Sequence, residues 1–371
     1  MDFLVEIGCE EIPARFVKPL VEQLERGLCQ LVEQQSLAGE EFRTENYATP
    51  RRLAILICGM LESQPERTEV VYGPRYEAAY DAEGKPTKAC TGFARSKGVD
   101  VDALEVFDTD RGKVVGVRMK TGGEPAGKVL AQHLPALVTG LKVQKSMRWG
   151  DGSYQFVRPV HWICALAGSD VVEFEFAGIR SGRKSRGHRF SFPAHFEIEV
   201  PADYVSLCER HGVMAERNRR RQVISDRLFE LAESVGGRPL RDEQLLEEVT
   251  DLVEWPVAIL GRFEQRFLRL PREVLVAAMR NHQRYFAIED ANGKLVNAFV
   301  AIANTPVEDE QPVRHGFERV LTARLNDAEF FFDQDRKTPP RQLVDKLDGM
   351  LFQAELGSYL EKAQRIEKLA V

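Results

Sequence analysis

The sequence predicts a multi-domain α+β fold, with mixed or antiparallel sheets in the N-terminal two thirds and a helical C-terminal segment. Three observations point there. Short β-branched apolar runs recur between turn-rich stretches up to about residue 302, which is the texture of strands. Apolar stripes at spacings of three and four alternate with them, as helices do. Beyond Phe317 only the helical spacing persists. A chain of 371 residues also exceeds what one hydrophobic core usually serves. The expected division is 1–200, possibly as two subdomains, 201–316 with a helical insertion, and 317–371.

Taken in order, Phe3 to Ile7 reads as a strand and Phe16 to Val32 as a helix, its stripe running through Leu20, Leu24, Leu28 and Leu31. Pro19 is tolerable there if it lies in the first turn. Leu53 to Cys58 reads as a buried strand. Residues 63–113 are polar and turn-rich, punctuated by Gly73-Pro74, Gly84-Lys85-Pro86 and Arg111-Gly112. Val114 to Met119 is a strand and Ala126 to Leu141 a helix. Val160 to Leu166 and Val171 to Ile179 are strands around a Gly168-Ser169-Asp170 turn, and Phe196 to Val200 is another. Tyr204 to Val235 and Asp242 to Val253 are helical. Val257 to Leu260, Tyr285 to Ile288 and Ala298 to Ile302 are strands, the last two joined through Asp290-Ala291-Asn292-Gly293. The stripe Leu343, Leu347, Met350, Leu351, Tyr359, Leu360, Ala363, Ile366, Leu369 runs to Val371 without a stop signal, so further helices are expected after it.

Charge limits the function classes. Lys+Arg 51 against Asp+Glu 57 gives a net charge of -6, so any RNA contact must be local. The six cysteines form no C-x-x-C pair and no zinc spacing, and read as reduced thiols. The N-terminus carries neither a signal peptide nor a membrane anchor, and a cytoplasmic protein without membrane contact is expected.

Two basic runs carry the candidate chemistry. Arg180, Arg183, Lys184, Arg186 and Arg189 fall within ten acid-free residues, interleaved with Gly182, Gly187, His188 and Phe190. Arginine forks suit phosphate, glycines allow close backbone approach, and His188 or Phe190 can stack on an unpaired base. The bland alternative is a solvated loop, or pairing with acids elsewhere. Arg217, Arg220 and Arg221 share one helical face and could track a phosphate backbone, or could equally be a solvated face. Arg51 and Arg52 could hold a carboxylate as readily as a phosphate. Trp162 and Trp255 read as packing residues, whereas Arg148 and Trp149 are types favoured at interfaces. Phe330-Phe331-Phe332 reads as a core plug ahead of a docking surface.

Gly122-Gly123-Glu124-Pro125-Ala126-Gly127-Lys128 fits the phosphate-loop pattern between a strand and a helix. Val129 stands where the Mg²⁺ mechanism needs a hydroxyl, and Pro125 removes an N–H, so a plain turn is the preferred reading over a nucleotide site. No catalytic residue and no metal site can be assigned. A purely structural scaffold remains a second alternative.

A series of segments resembles the β subunit of bacterial glycyl-tRNA synthetase. They are Phe3 to Gly8 with Glu10 to Pro13, Ala48 to Ala54, Gly84 to Lys88 with Gly92 to Arg95, and Met147 to Gly150 with Phe156 to His161. Gly187 to Phe190, Glu247 to Val249 with Leu252 to Pro256, Met279 to Phe286, and Arg324 to Phe331 with Asp335 to Lys337 follow in the family's order. The resemblance implies a subunit of an α2β2 enzyme that attaches glycine to tRNA(Gly). In it the α subunit uses ATP and Mg²⁺, while this chain binds no cofactor, handles tRNA and docks the α subunit. It further implies that 317–371 begins an HD-like helical domain.

Overall fold

The computed structural model describes every residue except Ala82, Arg111, Asp151, Val307 and Val371, so the Arg111-Gly112 turn and the last residue of the C-terminal stripe lie outside the described residues. The chain is α+β and folds as two compact units. The first comprises Met1–Ile12, Phe16–Arg186 and His195–Leu207; the second comprises Pro13–Arg15, Gly187–Ala194 and everything from Cys208 onward. Residues 317–370 thus belong to the second unit.

The first unit is built on a seven-stranded sheet. Its strand order is Glu175–Phe176, Ile179–Gly182, Val160–Ala167, Phe3–Cys9, Arg52–Met60, Ala38–Thr49, with Asp170–Val171 pairing beside Val160–Ala167. Ile179–Gly182 runs parallel to Val160–Ala167, while the central pairs are antiparallel, so the sheet is mixed. The period of two sends Phe3, Val5, Ile7 and Cys9 into one core. Helices Ala14–Gln34 and Ala126–Gly140 cover that core with Leu20, Leu24, Leu28, Leu130, Leu134 and Val138. Pro19 lies deeper than the first turn, beyond the four N–H groups that a helix start leaves unpaired.

The opposite face of the same strands is equally buried, and among Leu4, Ala54, Cys164 and Leu166 it carries a polar cluster. Glu6 and Arg52 form an ion pair at 3.0 Å with both side chains fully buried. The Tyr204 hydroxyl donates to Glu6 Oε1 at 3.2 Å, and Arg52 Nη2 donates to the Arg186 carbonyl at 2.9 Å. Trp162 stands directly across from Gly8 in the sheet, and the guanidiniums of Arg51, Arg52 and Arg186 each lie 5.6 Å from its ring centroid. Arg52 therefore holds a carboxylate.

In the first unit three elements differ from expectation. Ala38–Thr49 is an edge strand whose charged outer positions hid its alternation. The polar stretch 63–113 contains Arg67–Arg75 and Glu105–Thr109, which flank Gly112–Thr121 in a three-stranded sheet, and the helix Lys88–Lys97. Val171 to Ile179 is interrupted rather than continuous: a strand ends at Val171 and the next runs over Glu175–Phe176, after which Ala177 and Gly178, at left-handed φ of 56° and 75°, turn the chain into Ile179.

The second unit centres on an antiparallel sheet in the order Arg238–Pro239, Phe286–Glu289, Leu295–Ala303, Val257–Arg262. Helices Arg217–Glu233 and Glu243–Thr250 pack through Ile224, Leu228, Leu245 and Val249 against Ile288 and Val300. Leu321 and Leu325 of the helix Glu310–Lys337 join Ala287, Phe299 and Ala301 in a separate core. The expected helix over 204–235 is two helices, broken where Gly212 turns at φ 72°. The Phe330–Phe332 block is not a plug. A helix rotates each successive side chain by about 100°, so Phe332 packs while Phe330 and Phe331 stay exposed.

Glu289 closes one strand of this sheet, accepting from Arg272 at 2.6 Å and Arg238 at 3.0 Å. The Arg272 hydrogen bond, with help from Arg238 and against burial, holds its carboxyl below the ordinary 4.5. A depressed carboxylate contributes stability that is present above 4.5 and lost as pH falls through the lowered value. Urea midpoints should therefore drop between pH 6 and pH 3.5, and Arg272→Met should shrink that drop. An equal drop in both proteins would remove Glu289 from the account.

Candidate nucleic-acid interface

The basic segment 180–189 is divided between the two units. In the first unit, Arg180, Lys184 and Arg183 each face an acid. Arg180 lies 3.5 Å from Glu175, Arg183 lies 2.9 Å from Glu199, and Lys184 lies 3.4 Å from Glu197, its cross-strand partner. Arg186 donates from Nε to His195 Nε2 at 3.1 Å and lies over Trp162. Burial and then the neighbouring Arg186 and Lys184 push the His195 pKa below its ordinary value. A neutral ring suits the acceptor role that Arg186 requires of it. Exposed pairs of the Arg180 and Lys184 kind contribute little to stability and can be exchanged for a phosphate.

In the second unit the loop Gly187–Ala194 is tightly fixed. His188 is fully buried, its N–H donates to the His211 carbonyl at 2.9 Å, and its Nδ1 accepts from Ser191 N at 3.3 Å. Phe192 N donates to the His188 carbonyl at 2.9 Å, and the Phe192 ring meets His211 edge-on at 6.3 Å. A Cβ on Gly212 would come within 2.7 Å of the Phe192 ring, so only glycine lets the ring lie there. His188 is consequently a tie inside the loop, and the expectation that it stacks on a base is corrected. The loop instead presents Phe190, which is 73% exposed and sits directly after Arg189. A large aromatic ring this exposed on a fixed loop has a face that a base could stack on.

The second basic run has a different destination. Arg217, Arg220 and Arg221 do share a face, but that face meets the helix Glu243–Thr250. Arg217 reaches Asp251 at 2.7 and 2.8 Å and Glu247 at 2.6 Å. Arg221 reaches Glu247 at 2.7 Å and Glu243 at 2.5 Å. Burial disfavours the charge on Arg217, but Asp251 and then Glu247 more than offset it, and its pKa rises. Arg220 is 0% exposed and donates to the carbonyls of Met214 at 2.6 Å, Ala215 at 3.1 Å and Thr250 at 3.3 Å. The buried Arg220 and the mostly buried Arg217 are removed from the candidate contact surface, because their donors are spent within the unit, whereas Arg221 stays partly exposed on its two carboxylates. A signal for this was present in the sequence. Glu243, Glu247 and Asp251 recur every four residues, an acidic stripe that matches the basic one.

Two further candidates are placed by the fold. Arg148 is exposed on a short hairpin of Met147–Trp149 with Tyr154–Phe156, while Trp149 packs against the core of the first unit. The 122–128 loop is committed elsewhere. Gly123 N donates to Gln64 O at 3.1 Å, Ala126 N donates to Glu62 O at 2.9 Å, and Lys128 Nζ pairs with Glu124 at 2.5 Å. These amides and the lysine satisfy the protein's own acceptors, which leaves no cradle of the P-loop kind. Among the described residues no group of His, Cys, Asp and Glu could hold a metal, and no helix is long and apolar enough to cross a membrane.

Fold and site together describe a two-unit α+β protein in which one fixed loop exposes Phe190 beside Arg189. The model of the family described as glycyl-tRNA synthetase beta subunit matches residues 3–371, and the chain belongs to that family. It is 46% identical over 369 residues to a protein of Trichlorobacter lovleyi named glycine–tRNA ligase beta subunit. Proteins of the same name from Myxococcus xanthus and Moorella thermoacetica are 44% and 41% identical, each over 370 residues. All of this chain is covered in each comparison, against 53%, 52% and 53% of those relatives, so the chain spans about half their length.

Proposed function

We propose that this chain is the tRNA-handling part of a glycine–tRNA ligase, supporting ATP-dependent attachment of glycine to tRNA(Gly) in the cytoplasm. In this reading it binds tRNA and assembles with the catalytic α subunit as α2β2, and the α subunit uses ATP and Mg²⁺. Membership of the family supports the ligase assignment, and the exposed Phe190 beside Arg189 is the observation that carries the tRNA contact. Arg180, Arg183, Lys184 and Arg186 are phosphate candidates of the first unit: the first three face side-chain carboxylates that a phosphate can displace, and Arg186 faces the His195 ring. Arg148 is the candidate for α-subunit contact, with Trp149 fixing the hairpin beneath it.

Base–aromatic stacking is worth about 1–3 kcal/mol by alanine substitution. Phe190→Ala should therefore weaken tRNA(Gly) binding about tenfold or more, read by fluorescence anisotropy at fixed salt, while leaving thermal unfolding in place. Unchanged affinity would refute the stacking role.

A further inference from the structure

A feature of the second unit outside the Phe190 loop has the make-up of a nucleotide groove. Two depressions of about 560 and 460 Å³ adjoin each other by sharing Leu240 and Arg241 in their linings. Each lies within the range of about 300–1,000 Å³ for small-molecule sites. The first is lined on its apolar side by Leu228, Phe229 and Pro239, and Phe229 is 54% exposed. The second is lined by Val276, Ala277, Arg280 and Asn281.

The electrostatics single out Arg241. Three of the four carboxylates lining the two depressions are engaged by other cations: Asp242 by Arg280 at 2.5 Å, Glu289 by Arg272 at 2.6 Å, and Glu243 by Arg221 at 2.5 Å, with Glu273 the fourth. Among the described residues Arg241 reaches only Glu243, at 3.7 Å, and its side chain is 88% exposed. A loosely held cation where two depressions meet is where the phosphate linking two nucleotides would lie.

The far wall is a distorted helix. Ala278–Gln283 is a π-helical turn, and the turn ends at Arg284 in the left-handed region at φ 57°, uncommon for a residue with a side chain. The turn is held open by ties on both sides. Arg280 is bound to Asp242 and to Gln244 Oε1 at 2.9 Å, Arg284 to Glu248 at 3.0 Å, and Tyr285 is stacked on Phe299 at 4.7 Å. Such turns concentrate at functional sites. Here it projects the Asn281 amide, exposed, into the lining of the second depression, with Oδ1 accepting from Arg280 Nη1 at 3.3 Å. The Asn281 NH2 can donate to a base edge, and Glu273 in the same lining offers an acceptor for a ribose 2′-hydroxyl.

We propose that this groove binds two consecutive unpaired nucleotides of RNA, with one base against Phe229, the next beside Val276, Ala277 and Asn281, and Arg241 on the phosphate between them. The inference rests on the tRNA-handling reading and adds to it a single-stranded segment as the ligand.

The probe is a fluorescein-labelled tetra-adenylate ribonucleotide, titrated into the Phe190→Ala chain so that stacking on that loop does not contribute. Arg241→Gln, Phe229→Ala and Asn281→Ala are then introduced singly; all three sites are exposed. Saturable binding that each change weakens about tenfold is expected, with the salt slope for Arg241→Gln reduced by about one. No saturable binding, or affinities that ignore all three changes, would overturn the groove. The two failures are distinguishable, because loss of the groove leaves the effect of Phe190→Ala on whole tRNA intact.

Discussion

Arg220→Ala is expected to lower the unfolding free energy of the second unit by about 3–5 kcal/mol, the range for breaking a buried, fully hydrogen-bonded charge site. The guanidinium is enclosed between the start of its own helix and the end of the helix Glu243–Thr250, with three carbonyls as acceptors. Alanine leaves those carbonyls without their donor and opens a cavity of side-chain size in the same step. Arg220→Lys keeps the charge but loses the planar fork, so it should recover only part of the loss. Urea denaturation followed by tryptophan fluorescence reads both. Protein that remains folded should bind tRNA as the parent does. A stable alanine variant with weakened tRNA binding would reverse the assignment and make Arg220 a contact residue.

Gly8→Ala should be comparably damaging in the first unit, at about 3 kcal/mol or more, beyond ordinary overpacking. A Cβ there would lie 1.8 Å from Trp162 Cε2, well inside any contact distance. The indole cannot retreat freely, since it is 4% exposed and has the guanidiniums of Arg51, Arg52 and Arg186 around it. Trp162→Leu should partly rescue Gly8→Ala by vacating the space, and a double-mutant cycle in urea would read the coupling. Additive effects would show that the indole does not occupy that space.

Strands such as Phe3–Cys9 and Val160–Ala167 were legible because both of their faces are buried, so unbroken apolar runs announce them. The edge strand Ala38–Thr49 and the strands Arg67–Arg75 and Glu105–Thr109 were not, because much of their length is charged or exposed and reads as loop. The same ambiguity governed the site. An arginine that tracks phosphate and one that latches carboxylates share composition and spacing, so Arg217, Arg220 and Arg221 could be placed only once the helix facing them was known. His188 and Phe190 stand two residues apart in one loop, and nothing local says which is tucked in. The deciding groups are the carbonyl of His211 and the bare α-carbon of Gly212, more than twenty residues later.

The most direct measurement compares tRNA(Gly) isotherms of the parent chain, Phe190→Ala and Phe330→Ala at two salt concentrations. Phe330 is also an exposed aromatic of the second unit, so it controls for the loss of a surface ring in general. Affinity that falls only for Phe190→Ala, with an unchanged salt slope, is the predicted result. Equal affinities for all three proteins, or a loss shared by Phe330→Ala, would contradict it.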